Sequence, residues 1–151
     1  MYGTRNCMHS LTCKTALSLI LPLLGELACT SARAAPCSQL EAYAAETVVD
    51  YLDSWRNVHR AFEQFSHCDD GAISEGYSEA VARLMVDQWQ QFPDLLAFTK
   101  REPAFAQFVL RHIDETLDPD DLASIKRLAT TDCSPGAEAL CEHITDAASK
   151  K

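Results

Sequence analysis

Residues 39–65 have the sequence QLEAYAAETVVDYLDSWRNVHRAFEQF, and their hydrophobic spacing decides the fold class. Apolar side chains and one histidine recur there at steps of three and four residues: Ala45, Val48, Leu52, Trp55, His59 and Phe62. This repeat matches the turn of an α-helix and places these side chains on one face. The stretch therefore predicts one long amphipathic helix, called segment A.

The same helical spacing continues to the end of the chain, and no stretch alternates with the period of a β-strand. The further predicted segments are B at about residues 70–91, a short helix at about 93–99, C at about 103–116, D from 118 and E from 134. Short connections between amphipathic helices are typical of bundles. We expect an all-α, single-domain antiparallel bundle of five or six helices.

The N-terminus has the features of a signal peptide. Arg5 and Lys14 are followed by a nine-residue apolar run, Ala16 to Leu24, which is too short to span a bilayer. The triplet at residues 32–34, Ala-Arg-Ala, fits a signal peptidase site. We expect residues 1–34 to be a cleaved signal peptide, residues 35–151 to be the helical domain, and the protein to be periplasmic without stable membrane insertion.

The chain is acidic. Its 13 basic and 22 acidic residues give a formal net charge of −9. Removal of Arg5, Lys14, Arg33 and Glu26 with the signal peptide would leave 10 bases, 21 acids and a net charge of −11. This balance argues against nucleic acid as a partner.

Four cysteines remain after the predicted cleavage: Cys37, Cys68, Cys133 and Cys141. In a small exported chain they predict two disulfides. No C-x-x-C pair occurs, which argues against a thioredoxin-like redox site, a zinc knuckle and covalent haem attachment. An up-and-down path favours pairing Cys37 with Cys133 and Cys68 with Cys141, as the best of three connectivities.

Two histidines lie in the middle of predicted apolar faces, His59 in segment A and His112 in segment C. Such a histidine is most often a hydrogen-bonded core residue, and we predict a structural role for both. The alternative is a bundle that uses His59 and His112 to bind a metal or a small ligand. Metal sites in bundles usually include inward carboxylates, which neither helical face carries, so we predict no metal and no cofactor.

Seven carboxylates are predicted to gather at one end of the bundle, before segment B and around the turn between C and D. They are Asp69, Asp70, Asp114, Glu115, Asp118, Asp120 and Asp121. Helix capping explains Asp118 and Asp120, and one of Asp69 and Asp70 in part. It does not explain why Arg111 is the only lysine or arginine between Pro103 and Ile125. We therefore predict that this end binds a protein partner with a basic surface.

Enzymatic motifs are missing from the sequence. There is no G-x-S-x-G, no His-Glu-x-x-His and no glycine-rich phosphate loop. Ser54, Ser66, Ser74 and Ser78 have the placement of cap or helix-surface serines. We predict that the protein is not an enzyme.

Two stretches carry a family resemblance, SHCDDGAISEGYSEAVARLMVDQW at residues 66–89 and FVLRHIDET at 108–116. They resemble small signal-bearing proteins of Gram-negative bacteria. In architecture these look like periplasmic immunity proteins, which protect a cell from type VI secreted cell-wall amidases and similar toxins. The resemblance implies a stoichiometric protein binder of the immunity or inhibitor type, acting on a secreted toxin or cell-wall hydrolase, and it transfers no binding residues.

Overall fold

A computed structural model describes residues 36–150 of the protein, so the predicted signal peptide at residues 1–34 lies outside the described residues. The helices are α1 Gln39–Val49, α2 Trp55–Phe65, α3 Gly71–Asp87, α4 Phe92–Arg101, α5 Pro103–Arg111, α6 Pro119–Thr131 and α7 Glu138–Ala147. Single 3₁₀ turns, Ser66–Cys68 and Trp89–Gln91, precede α3 and α4. Residues 36–150 contain no strand, which confirms the all-α prediction, with seven α-helices in place of five or six.

Segment A is not one helix, and that part of the prediction is wrong. The chain leaves the helix after Val49, and Ser54 starts α2 from an extended conformation, with its hydroxyl accepting from the N–H of Asn57. The Asn57 side chain donates to the Tyr51 carbonyl at 3.2 Å and to Asp53 at 2.8 Å. Serine and asparagine side chains stabilise such breaks by forming hydrogen bonds to nearby backbone groups. The spacing of apolar residues does not reveal these hydrogen bonds, so it does not predict the break.

Helix α3 is the longest helix and packs against α1, α2 and α6. Its contact with α1 depends on a small residue, because a Cβ atom placed on Gly76 would overlap the side chain of Val49. Glycine in a helix interior costs about 1 kcal/mol relative to alanine. At position 76 glycine is needed in spite of this cost, because a larger residue would block the close approach of α1 to α3.

The core between α2, α3 and α5 is aromatic. Phe62 lies 5.4 Å from Phe105 and 5.1 Å from Phe108, measured between ring centroids. Tyr77 of α3 meets Phe108 edge-on at 4.9 Å, and its side chain is buried. Aromatic pairs at these separations stabilise a core beyond the area that they bury.

The disulfides are Cys37–Cys68 and Cys133–Cys141, with Cα–Cα distances of 4.9 Å and 6.1 Å. The predicted pairing of Cys37 with Cys133 and of Cys68 with Cys141 is therefore wrong. The break before Ser54 removes the long helix that would have held Cys37 and Cys68 apart. Cys133 reaches Cys141 because α7 begins only at Glu138, after a turn in which Gly136 has φ +79°.

Within residues 36–150, none of the helices combines the length and the apolarity that crossing a membrane requires.

The contact at Gly76 predicts an unusual response to alanine. Gly76→Ala should lower the free energy of unfolding by about 1–3 kcal/mol, because the added methyl overpacks against Val49. In a Val49→Ala background the same change should be neutral or stabilising, because helix propensity then dominates. Urea denaturation of the two single variants and the double variant measures both effects, and additive free energies would contradict the predicted contact.

The two disulfides should differ in their effect on stability. The Cys37–Cys68 bridge joins residues 31 apart and Cys133–Cys141 joins residues 8 apart. Loop-closure entropy then predicts losses of about 3.7 and about 2.5 kcal/mol when each pair is replaced by serine. Urea titration of both double-serine variants gives these losses, and peptide mapping of the unreduced protein should recover the two bridges named here.

Candidate functional site

The predicted acidic end forms a groove of about 880 Å³ beside α3. Five of the seven predicted carboxylates line it: Asp69, Asp70, Asp114, Asp118 and Asp121. The other two do not, since Glu115 lines a different surface pocket and Asp120 is exposed on the first turn of α6. The groove therefore gathers most, but not all, of the residues predicted from the sequence.

Three more carboxylates line the groove from α3, and the sequence interpretation missed them. They are Glu75, Glu79 and Asp87. Together with Arg83 they recur every fourth residue, which puts them on one face of the helix. That spacing was the signal that could have found them, but nothing in the sequence said that this face lies beside Asp114 and Asp118.

Hydrogen bonds within turns and caps account for three of the groove carboxylates. Asp70 accepts from the N–H of Gly71 and Asp118 from that of Asp120, each at 2.8 Å. Asp114 accepts from the backbone N–H and the hydroxyl of Thr116. These three acids have a local structural role as well as a place in the groove.

Four other groove carboxylates have no hydrogen bond or ion pair to any residue in the described chain: Glu75, Glu79, Asp87 and Asp121. Arg83 is the one basic residue in the groove lining, and it donates to the Leu52 carbonyl at 3.1 Å. The groove thus presents carboxylates that neither capping nor pairing explains.

Beneath the groove, the buried ring of His112 lies between Ser78 and Asp69. Its Nδ1 is 3.0 Å from the Ser78 hydroxyl. Its Nε2 is 3.3 Å from Oδ2 of Asp69, without the alignment of a hydrogen bond. The Asp69 carboxylate favours a proton on Nε2, so Nδ1 accepts from the hydroxyl of Ser78.

The same cluster holds three buried polar atoms without a hydrogen-bond partner among the described residues: Asp69 Oδ1, Tyr77 Oη and His112 Nε2. Arg111 lies on the solvent side of the cluster and donates to Oδ2 of Asp69 at 3.1 Å. The cluster therefore joins the chain before α3 to the end of α5. The structural role predicted for His112 agrees with this position, although the sequence placed no acid near its ring.

Opposing effects set the pKa of the Asp69 carboxyl. Burial is the largest single influence and raises it, but the contacts from His112, Arg111 and Ser74 together hold the pKa below its ordinary value of 3.8. Burial raises the pKa of Tyr77 to about 12, with a further increase from the charge of Asp69. Asp69 is thus ionised and Tyr77 protonated at neutral pH.

The order Ser78–His112–Asp69 is that of a nucleophile, a base and an orienting acid. Ser78, however, lies in the interior of α3, where neighbouring backbone N–H groups are committed to the helix. Acyl transfer also needs donors aimed at the developing oxyanion. We therefore interpret the cluster as a clamp between α3 and α5.

His59 belongs to a second, separate cluster. Its Nε2 lies 2.8 Å from Oε2 of Glu102, and its Nδ1 lies 3.6 Å from Oε2 of Glu63. The rings of Phe105 and Phe108 connect His59 to His112 through successive contacts, so the two histidines do not converge on one ligand. The sequence did not reveal these acids because Glu102 comes from the junction between α4 and α5, and Glu63 is not among the positions of the apolar face of segment A.

Comparisons with protein-family models, curated proteins and solved structures found no match to this chain.

The clamp predicts an acid-sensitive stability. Because the pKa of Asp69 is lower in the folded than in the unfolded chain, the unfolded chain takes up its proton first as the pH falls below 3.8. The contribution of Asp69 is complete above that pH and is lost below it. Asp69→Asn should lower the free energy of unfolding at pH 7 by about 1.5–3 kcal/mol. It should also reduce the loss of stability that the native protein shows as the pH falls below 3.8. Asp146→Asn, an exposed acid outside the clamp, is the control, and equal curves for both variants would contradict the clamp.

Proposed function

We propose that the protein is an exported binding protein that neutralises a secreted toxin or cell-wall hydrolase by stoichiometric association, as an immunity or inhibitor protein does. The observation that carries this proposal is the groove in which Glu75, Glu79, Asp87 and Asp121 have no partner within the described chain. A protein partner that inserts lysine or arginine side chains would supply the missing opposite charges.

Electrostatics favours such a partner over other ligands. Carboxylates gathered on one concave surface repel each other and create a negative potential, which attracts a basic surface over a distance of about 8–10 Å in physiological salt. The net charge of the chain, −9, has the same sign. Nucleic acid and anionic lipid are repelled by this field.

The groove carboxylates divide into two roles. The Asp69 side chain is only 9% exposed and is already bonded to Arg111, so its role is to hold the groove wall. Glu75, Glu79 and Asp87 are exposed and free to approach a partner. Exposed charges of this kind mainly set the association rate and its salt dependence.

A second surface can supply apolar contact. The large apolar side chains that remain exposed in residues 36–150 are Leu40, Tyr43 and Tyr51, at 78%, 71% and 68% exposure. Leu40 and Tyr43 lie on one face of α1, and Tyr51 follows that helix. Tyrosine is enriched among the residues that dominate binding energy at interfaces, so these side chains are candidate anchors, independent of the groove.

The two disulfides support the proposed export, because disulfides form and persist in oxidising compartments. The resemblance of residues 66–89 and 108–116 to periplasmic immunity-type proteins also supports the proposal. Both stretches contribute to the groove, through Asp69, Asp70 and α3 in the first and through Asp114 and Thr116 in the second.

A charge-neutralised variant tests the groove. The triple change Glu75→Gln, Glu79→Gln and Asp121→Asn removes carboxylates that cap no helix and pair with no described residue. We expect association with a purified type VI cell-wall amidase that the native protein binds one-to-one to slow severalfold at low salt and to change little at high salt. Stopped-flow or surface-based kinetics over a salt series measure this.

The matched control is a triple change of exposed acids that do not line the groove, Asp94→Asn, Glu142→Gln and Asp146→Asn. It removes the same number of negative charges, so equal slowing by both triples would reject the groove as the binding surface. Tyr43→Ala tests the second surface, mainly through the dissociation rate. In cells, co-expression should protect against an amidase directed to the periplasm, and failure to bind or protect against any amidase of this class would reject the proposed function.

A further inference from the structure

The cluster around His59 contains three potential metal ligands from two parts of the fold. His59 and Glu63 lie one turn apart on α2, and Glu102 comes from the junction between α4 and α5. One ligand atom from each residue can be chosen so that all three lie within 4.8 Å of one another. We propose that His59, Glu63 and Glu102 bind a divalent cation of the zinc class.

The packing around His59 fixes its imidazole ring. The ring stacks on Phe98, with centroids 4.5 Å apart, and meets the edge of Phe105 at 4.9 Å. Only 15% of the side chain is exposed. An orienting apolar shell around a polar donor is a feature of protein metal sites, because it holds the ligand in place and limits the access of water.

The two carboxylates can adjust to an ion. Their side chains are 56% exposed for Glu63 and 38% for Glu102. Zinc bonds of about 2.0–2.1 Å in a tetrahedral site place ligand atoms about 3.3 Å apart. Nε2 and the Glu102 oxygen, now 2.8 Å apart, would need to separate slightly. The Glu63 carboxylate, now 3.6 Å from Nδ1, would need to move to the Nε2 side of the ring to reach the same ion.

Charge and donor type select the class of ion. Two carboxylates and a neutral imidazole balance a charge of +2, and neither Glu63 nor Glu102 pairs with a lysine or arginine of the described chain. Arg101, beside Glu102, lies over the Phe98 ring and donates to the Ala97 carbonyl. Imidazole with carboxylate suits zinc better than Ca²⁺ or Mg²⁺, which prefer oxygen donors only.

Three protein ligands leave a fourth position open to water or to a side chain of a bound partner. The ion would also tie α2 to the start of α5, two elements that otherwise meet through aromatic packing. This site is separate from the acidic groove, whose lining includes none of its three ligands. The proposed zinc site is therefore independent of the proposed function, and zinc binding can be tested without the toxin partner.

Zinc titration of the purified, disulfide-intact protein tests the site. Isothermal calorimetry should find one site with a dissociation constant in the micromolar range or below. Glu63→Gln and Glu102→Gln should each weaken it by at least about tenfold, since loss of even an outer-shell partner costs that much. Both residues are at least partly exposed, and the Glu102 side chain makes no capping hydrogen bond to α5, so the variants should fold.

Histidine controls separate this site from adventitious binding. His67→Gln removes a histidine that faces a single carboxylate, Glu41, at 3.3 Å, and His143→Gln removes an exposed histidine. Neither should change zinc affinity. In NMR spectra, zinc should shift the His59 ring resonances and leave those of His112 in place.

A dissociation constant weaker than about 1 mM would overturn the proposal. It would also be overturned if either glutamine variant bound zinc as tightly as the native protein, or if a control histidine carried the affinity. In those cases the cluster is a histidine held by contacts with two carboxylates.

Discussion

The burial of the Asp69 carboxylate is the constraint on which the rest of the groove depends. A charge removed from water must be paired, because leaving it unpaired costs several kcal/mol. Arg111 and His112 meet that requirement from the end of α5, and Asp69 stands directly before the cap of α3. The pairing therefore brings the start of α3 and the end of α5 together, and the carboxylates that flank each element come with them.

A disulfide also stabilises the part of the chain that leads into α3. Cys68 immediately precedes Asp69, and its bridge to Cys37 ties the start of α1 to the 3₁₀ turn between α2 and α3. Carboxylates crowded along one groove repel each other and oppose the compact state. The disulfide and the pairing of the Asp69 carboxylate with Arg111 offset that repulsion, so the groove that we propose to bind a basic partner can persist in the free protein.

The two histidines look alike in the sequence and differ in the fold. Each is predicted to lie in the middle of an apolar helical face, although α5 ends at Arg111, and each is in contact with phenylalanine rings. His112 is enclosed with Ser78 and one buried carboxylate, which suits a clamp. His59 stands at the edge of the core between two carboxylates that are free to move, which suits a cation. The difference comes from the neighbours that tertiary contacts supply.

The sequence by itself determined the all-helical class, most helix positions and the cap at Asp118, and it narrowed the cap of α3 to Asp69 or Asp70, because periodicity and capping act over a few residues. It also predicted a gathering of seven acids, of which five line the groove. It did not determine the break before Ser54, the disulfide partners, or the acids beside His59 and His112. These depend on which elements meet: Cys37 is 31 residues from Cys68, and His59 is 43 residues from Glu102. Only the tertiary structure decided them, since contacts between distant residues are set by how the helices pack and not by the spacing along any one of them.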